Sequence, residues 1–476
     1  MISELRKKLD KKEISAEELC REYFRKIEEQ DGEINSFITL CRQKAADAAR
    51  AAQKIIDNGN APMLCGIPVS VKDNICTEGV RTTCASKTLA DFVPPYSATA
   101  VKKLEEHGAV ILGKTNMDEF AMGSSGQYSY FGGVKNPHNR EYVAGGSSAG
   151  AAASVAAGFC AASLGSDTGG SVRQPAAFCG VTGFKPTYGA VSRFGLIAFA
   201  SSLDQIGVAA RSAEDIGIVL NCISGHDRAD ATSSKRVISD FCGKIGKRRT
   251  GLKIGVAKEF FGAEISEEIK TCVHGAAEFY KDCGVEIAEV SLPSLSYSVP
   301  AYYLISSAEA ASNLARFDGI KYGFRTEHAK SFESLIAKNR SEGLGTEVKR
   351  RIMLGNYALS SGYFDEYYKK ALRIRKKIIS EYEEVFKKCD MLITPTYPTA
   401  AFKACSRRSP AEEYVADLCT VSANIAGLPA ISVPCGRGKN GLPLAFSLVG
   451  AAFSDAELIG AADLFERGFG KRGAVL

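Results

Sequence analysis

Histidine is scarce, five residues in 476, and none stands in a GxSxG or HExxH pattern that would pair it with a catalytic serine or a zinc ion. No GxxxxGK[ST] run is present, which excludes a P-loop. The fifteen cysteines are scattered, with no CxxC pair and no Cys/His cluster at zinc spacing. They are expected to be reduced and mostly buried, and no metal is expected in this chain. No apolar run reaches transmembrane length. Residues Met1 to Asp10 are charged and amphipathic, without the apolar stretch of a secretory leader, so a cytoplasmic protein with no membrane attachment is expected. The net charge of +6 is spread along the chain and forms no basic stripe of the kind nucleic-acid binding requires. The densest basic loop, Gly243 to Thr250, reads as a solvated connection.

What is present centres on Gly145 to Arg173, GGSSAGAAASVAAGFCAASLGSDTGGSVR. Two loops, Gly145-Gly146-Ser147-Ser148 and Asp167-Thr168-Gly169-Gly170-Ser171, each set a hydroxyl among glycines, which permit positive φ or close backbone approach. Between them Ala149 to Gly158 has helix-forming alanines and little bulk, so its N-terminus is expected to point at a site built from both loops. Backbone N–H groups in such turns suit an oxyanion hole. Taken alone, the same loops read equally well as Gly/Ser-rich turns. A third element, Pro68-Val69-Ser70-Val71-Lys72, ends an apolar run in a lysine. A buried lysine loses its proton near neutral pH, because desolvation disfavours the ammonium. Lys72 is then a candidate base for Ser147, and Ser147 for a nucleophilic Ser171, with no histidine required.

Lys72, Ser147 and Ser171 resemble the Ser–Ser–Lys triad of the amidase signature family, and the resemblance runs almost end to end. Its later blocks, Lys185-Pro186-Thr187-Tyr188-Gly189, Ser192-Arg193-Phe194-Gly195, Ala200 to Gln205 and Arg316-Phe317-Asp318-Gly319, are similar to the A subunits of glutamyl-tRNA(Gln)/aspartyl-tRNA(Asn) amidotransferases. Two departures stand out. Ala144 and Ala149 flank the first serine pair where proline and a glycine or serine are usual. Gly126-Gln127-Tyr128 replaces a common Thr-Glu-Asn run. These put fine substrate preference in question, not the reaction class.

The resemblance implies an α/β protein, a large central mixed and mostly parallel β-sheet covered by helices on both faces. It implies one domain over 1–476: an N-terminal helical layer (1–60), a core with the triad (64–210), and the remaining sheet with glutamine-binding helices (211–476). It implies hydrolysis of glutamine, with the N–H groups of Thr168, Gly169, Gly170 and Ser171 at the oxyanion. Arg351 would bind the α-carboxylate and Asp417 the α-amine, with Tyr302 a further substrate contact. Spacing alone would place Arg351 on a solvated helix face and Asp417 at a cap. It further implies a kinase/transferase B subunit, using ATP and Mg to activate misacylated tRNA, a small C subunit, ammonia passed between subunits, and no cofactor in this chain. The alternatives are a stand-alone amidase acting on another small amide and a catalytically silent scaffolding subunit.

The remaining pattern is strand–helix–strand. A capping box at Ser15–Glu18 starts a helix expected over Ala16–Glu29, and Gln43–Asp57 is a second. Strands are expected at Leu64–Val71, Ala109–Leu112, Leu252–Ala257, Val285–Val290, Met391–Thr394, Ala430–Val433 and Leu444–Val449, with a short helix beginning at Thr115–Asp118. Helices are expected over Thr99–His107, from Ser212 to about Cys222, Ser266–Lys281, Tyr302–Ala315 and Thr346–Lys388, the last broken near Gly362. Asp73 and Asn74 are candidates to orient Lys72.

Overall fold

A computed structural model describes residues 1–236, 240–247, 249–406 and 409–469. The tail 470–476 and Arg248 of the basic loop therefore lie outside the described residues. Eleven strands form one sheet: β1 (Phe37–Leu40), β2 (Pro68–Lys72), β3 (Val110–Thr115), β4 (Ala162–Asp167), β5 (Thr182–Lys185), β6 (Gln205–Ala210), β7 (Lys253–Ala257), β8 (Glu286–Val290), β9 (Met391–Pro395), β10 (Ala430–Arg437) and β11 (Pro443–Gly450), in the spatial order 1-3-2-4-6-5-10-11-9-7-8. The sheet is mixed, as expected. Of its parallel pairings the strand–helix–strand rhythm located two, β2 with β3 and β7 with β8; β2 with β4 and β7 with β9 are added by the structure. The other six neighbouring pairs run antiparallel, so the parallel character is confined to two blocks and is smaller than expected. The reason lies in β5 and β6. Gln205–Ala210, where Ile206 and Val208 alternate with glycine and alanine, is not among the expected strands; it pairs with β4 on one side and β5 on the other and turns the ladder antiparallel there.

Successive strand residues point to opposite faces, and the core divides accordingly. In β9, Met391 and Ile393 join one apolar cluster and Leu392 the other. Ile431 and Ala430 of β10 divide in the same way. The first cluster takes in the N-terminal helices and the helices Ala213–Ile223, Glu267–Asp282 and Asp455–Phe469. The second takes in Ser298–Asn313, Thr346–Leu359 and Lys369–Val385. Among the described residues, no helix is long and apolar enough to cross a membrane.

Several boundaries move for local reasons. The first capped helix runs Ala16–Ile34 rather than ending at Glu29. Ile34 is buried, and Asn35 ends the helix in the left-handed region at φ 62°. The strand expected at Leu64–Val71 begins only at Pro68, because Leu64 C=O closes a turn with Ile67 N–H at 3.0 Å. The long C-terminal helical stretch breaks at Gly362, φ 88°, between Thr346–Leu359 and Lys369–Val385. The cysteines are mostly buried, but not all are reduced: Cys272 of the helix Glu267–Asp282 is disulfide-bonded to Cys435 of β10, a pairing across 163 residues to which sequence spacing gives no clue. In the basic loop, Lys244 and Arg249 pair with Glu457.

The capping box is complete. Glu18 N–H donates to Ser15 Oγ at 3.2 Å, and Ser15 N–H donates to the Glu18 carboxylate at 2.9 Å. Ser15→Ala is expected to destabilise the fold by about 1 kcal/mol, read as a small downward shift of the thermal unfolding midpoint. No shift would mean that the Ser15 hydroxyl does not hold the helix start.

Candidate functional site

Lys72 closes β2 with no solvent exposure. Its Nζ donates to Ser147 Oγ at 2.7 Å, to Ser166 Oγ at 2.9 Å and to the Ser166 carbonyl at 3.2 Å. Burial lowers its pKa to about 7, against the pull of the Asp118, Asp167 and Asp204 carboxylates. Asn74 does join this group, donating to Ser166 Oγ at 2.9 Å. Asp73 does not: successive residues face opposite ways, and its carboxylate accepts from Thr83 N–H at 2.9 Å and stands 4.0 Å from Lys114.

The two serine loops meet back to back. Ser148 N–H donates to the Ser171 carbonyl at 3.0 Å, and the Gly146–Ser147 peptide is cis. Ser171 is 8% exposed, and its hydroxyl makes no hydrogen bond among the described residues. The structure therefore brings Lys72 and Ser147 into contact, and the backbone of the neighbouring Ser148 holds that of Ser171. The helix Ala149–Ala156 is poor in bulk for a reason other than the expected one. A Cβ at Gly150 would lie 2.3 Å from the Ser36 carbonyl oxygen, and Gly150 N–H is spent on the Asn116 carbonyl at 2.9 Å. At Gly150 its first turn is packed on backbone, and that amide is not offered to the site.

The second loop is fixed by a buried ion pair that the spacing does not announce. Asp167 and Arg173 are both fully buried, with Arg173 Nε donating to Asp167 Oδ2 at 3.0 Å and Nη2 to Oδ1 at 3.1 Å. Burial alone would raise the Asp167 pKa. The Arg173 guanidinium, Lys185 and Asn424 outweigh it and hold the carboxyl well below the ordinary range. Asp167 also accepts the Gly170 N–H at 2.8 Å. This corrects one expected oxyanion donor: Gly170 is committed to a carboxylate. The N–H groups of Thr168, Gly169 and Ser171 have no such partner among the described residues, and the Thr168 hydroxyl is anchored on Asp204 at 2.6 Å.

Of the expected substrate contacts, one stands against this loop and two are gathered by its neighbour Tyr303. Tyr302 is buried over Gly169, so near that a Cβ there would lie 2.6 Å from its hydroxyl. Arg351, expected on a solvated face from spacing alone, is buried on the helix Thr346–Leu359, and its Nε donates to Glu347 at 2.6 Å. Its guanidinium lies 4.4 Å from the Tyr303 ring centre and 5.1 Å from that of Tyr414. Asp417, in the turn Ala416–Cys419, accepts from the Tyr303 hydroxyl at 2.6 Å. Glu347 and Tyr303 do not stand out in the sequence, because an i,i+4 pair and a Tyr-Tyr dipeptide on a helix read as ordinary packing.

Asp118 is likewise inconspicuous in the sequence. Fully buried, it accepts from Gly126 N–H at 3.0 Å and Tyr128 N–H at 2.9 Å. Burial raises its pKa to about 7. The segment Thr115–Asp118 does not begin the expected helix; only the short 3-10 turn Glu119–Ala121 follows it. The residues that depart from the family pattern thus sit on the site itself. Gly126 adopts φ 75°, and a Cβ on it would lie 2.6 Å from the Ala149 methyl and 2.7 Å from the Gly145 carbonyl oxygen. Gln127 and Tyr128 line a cavity of about 520 Å³ shared with Glu347. The Tyr128 hydroxyl donates to Glu413, four residues before Asp417, at 2.9 Å. No three His, Cys, Asp or Glu side chains are grouped to hold a metal among the described residues.

The contact at Gly126 gives a test. Gly126→Thr is expected to destabilise by about 1–3 kcal/mol through overpacking. Adding Ala149→Gly is expected to restore part of that loss, so the double variant unfolds later than the two single losses sum to. Strict additivity in thermal or denaturant unfolding would show that the two positions do not share space.

A family model described as Amidase matches residues 18–459. The A subunit of the glutamyl-tRNA(Gln) amidotransferase from Caldanaerobacter subterraneus subsp. tengcongensis is 51% identical over 469 residues, covering 98% of this chain and 96% of the relative. Its counterpart from Ruminiclostridium cellulolyticum is 52% identical over 470 residues, covering 98% and 97%. The crystal structure of the corresponding A subunit from Thermotoga maritima superposes with a TM-score of 0.80 at 40% identity, over 95% of this chain and 92% of that one.

Proposed function

The chain belongs to the amidase family, and from that premise we propose that it is the glutamine-hydrolysing subunit of a tRNA-dependent amidotransferase. The observation that carries the reading is Lys72, fully buried and 2.7 Å from Ser147, with Tyr302 over Gly169 of the Ser171 loop and the adjacent Tyr303 touching both Arg351 and Asp417. A glutamine backbone bears one negative and one positive group, and Arg351 and Asp417 supply one partner for each. The names of the relatives support an amidotransferase of several subunits that acts on glutamyl-tRNA(Gln) as the setting.

In the proposed reaction, neutral Lys72 takes the Ser147 proton, and Ser147 takes that of Ser171 as the Ser171 hydroxyl turns toward it. Ser171 Oγ bonds to the side-chain amide carbon, and the negative charge moves to the amide oxygen. That oxygen is held by the N–H groups of Thr168, Gly169 and Ser171, each donor lowering the barrier by roughly 3 kcal/mol. Collapse breaks the C–N bond, the relay returns the proton to nitrogen, and ammonia leaves. Water then cleaves the glutamyl ester by the same relay. Ammonia passes to a B subunit that uses ATP and Mg to activate glutamate on Glu-tRNA(Gln), with Asp-tRNA(Asn) a second acceptor. A small C subunit completes a cytoplasmic heterotrimer. tRNA contacts fall mainly to the partner, and this chain needs no cofactor.

Ser171→Ala and Lys72→Ala are each expected to abolish glutamine hydrolysis while the complex still amidates tRNA with added ammonium salt. Normal ammonia release in either variant would overturn the triad. Because only neutral Lys72 accepts a proton, kcat is expected to fall as pH drops through about 7. A profile flat from about pH 6 to about 9 would overturn its role as base.

A further inference from the structure

Arg351 and Asp417 carry opposite charges in a largely dry site, where such groups attract strongly enough to close on one another and fill the space a ligand needs. They do not. Among the described residues no ion pair joins them, and each is held by a separate group. Glu347 takes Arg351 Nε at 2.6 Å, leaving both terminal nitrogens without a protein acceptor among the described residues. The Tyr303 hydroxyl takes Asp417 Oδ2 at 2.6 Å, leaving Oδ1. The Tyr303 ring also lies 4.4 Å from the Arg351 guanidinium and stacks on Tyr414 at 3.9 Å. One side chain, on the helix Ser298–Asn313, therefore touches both charged groups, which come from two other elements.

We propose that Tyr303 is a positioning residue for amino-acid recognition: its hydroxyl orients the Asp417 carboxylate toward the substrate ammonium while its ring fixes the Arg351 guanidinium for the substrate carboxylate. This rests on the reading of Arg351 and Asp417 as the glutamine ligands. It makes Tyr303 a determinant of selectivity for free α-amino acid amides over amides lacking the zwitterion, because an uncharged amide gains nothing from either group.

The arrangement also has a pH signature. Burial pushes Asp417 up to about 7; Tyr303 and Arg351 oppose that rise, whereas Glu413 on the preceding helix and Asp167 at the end of β4 add to it. Without the hydroxyl, the Asp417 pKa rises further. A protonated Asp417 cannot hold an ammonium group, so glutamine binding is then lost at a higher pH than in the parent enzyme.

The test is steady-state glutamine hydrolysis by the assembled complex carrying Tyr303→Phe, which removes one oxygen and keeps the ring. KM for glutamine is expected to rise on the order of tenfold, as loss of a hydrogen bond to a charged group implies, with kcat changing far less. The pH at which KM begins to climb is expected to move upward by about one unit, a tenfold change in proton affinity, while the acid limb of kcat, set by Lys72, stays in place. In an Asp417→Asn background the same substitution is expected to leave KM nearly unchanged. An unaltered KM and KM–pH profile in Tyr303→Phe would overturn the proposal, as would an equal KM rise in the Asp417→Asn background. Failure of the parent complex to hydrolyse glutamine would instead overturn the functional reading beneath it.

Discussion

The Asp167–Arg173 pair is the constraint on which the site depends. Two unit charges withdrawn from water cost several kcal/mol each, and the cost is met here because nearly every polar atom of the pair is engaged. Asp167 accepts from Gly170, Val172 and Asn424 besides Arg173, and Arg173 also reaches the Thr420 carbonyl and Asn424 Oδ1. Four pieces of chain are tied at this point: the end of β4, the loop bearing Ser171, the helix Arg173–Cys179 and the segment after Asp417. Because the helix begins two residues beyond Ser171, the pair fixes where the Ser171 hydroxyl and the free N–H groups stand relative to one another.

Lys72 is the complementary case, a cation with no carboxylate in direct contact. Its three hydrogen bonds all go to uncharged oxygens, on Ser147 and Ser166. The nearby acids are themselves turned away: Asp118 toward backbone N–H groups, Asp204 toward Thr168, Phe199 and Ala200. A direct carboxylate partner would hold the ammonium form and remove the base. Hydroxyl partners satisfy the amine in either protonation state, so burial is left to set its charge.

Lys72, Ser147 and Ser171 were legible in the sequence as candidates because their three segments are local and carry their own glycine or apolar context. The α/β class and most strands were legible for the same reason. What it concealed is non-local or looks like packing. Gln205–Ala210 alternates Ile206 and Val208 with small residues over a run too short to stand out, and its pairing with β4 and β5 is what marks it as a strand. Asp167 and Arg173 are six apart across a loop, where no periodicity links them. Tyr303 is one of two adjacent tyrosines, and which faces the serine loop depends on the helix orientation. Cys272 and Cys435 meet only because the helix Glu267–Asp282 crosses the sheet at β10. Arg351 shows the opposite error: spacing assigns the whole basic run to solvent, and while Lys349 and Arg350 stay partly exposed, Arg351 is buried with Glu347 one turn earlier as its partner.

The meeting of residues 126 and 149 makes this wall of the site a shared volume. On this backbone a side chain at 126 would meet both the Ala149 methyl and the Gly145 carbonyl oxygen, at a φ of 75° that favours glycine. The two positions therefore cannot be varied independently. A larger group at 126 needs a shift of the Gly145 backbone as well as loss of the methyl, so the loop that carries Ser147 is coupled to the segment that carries Tyr128.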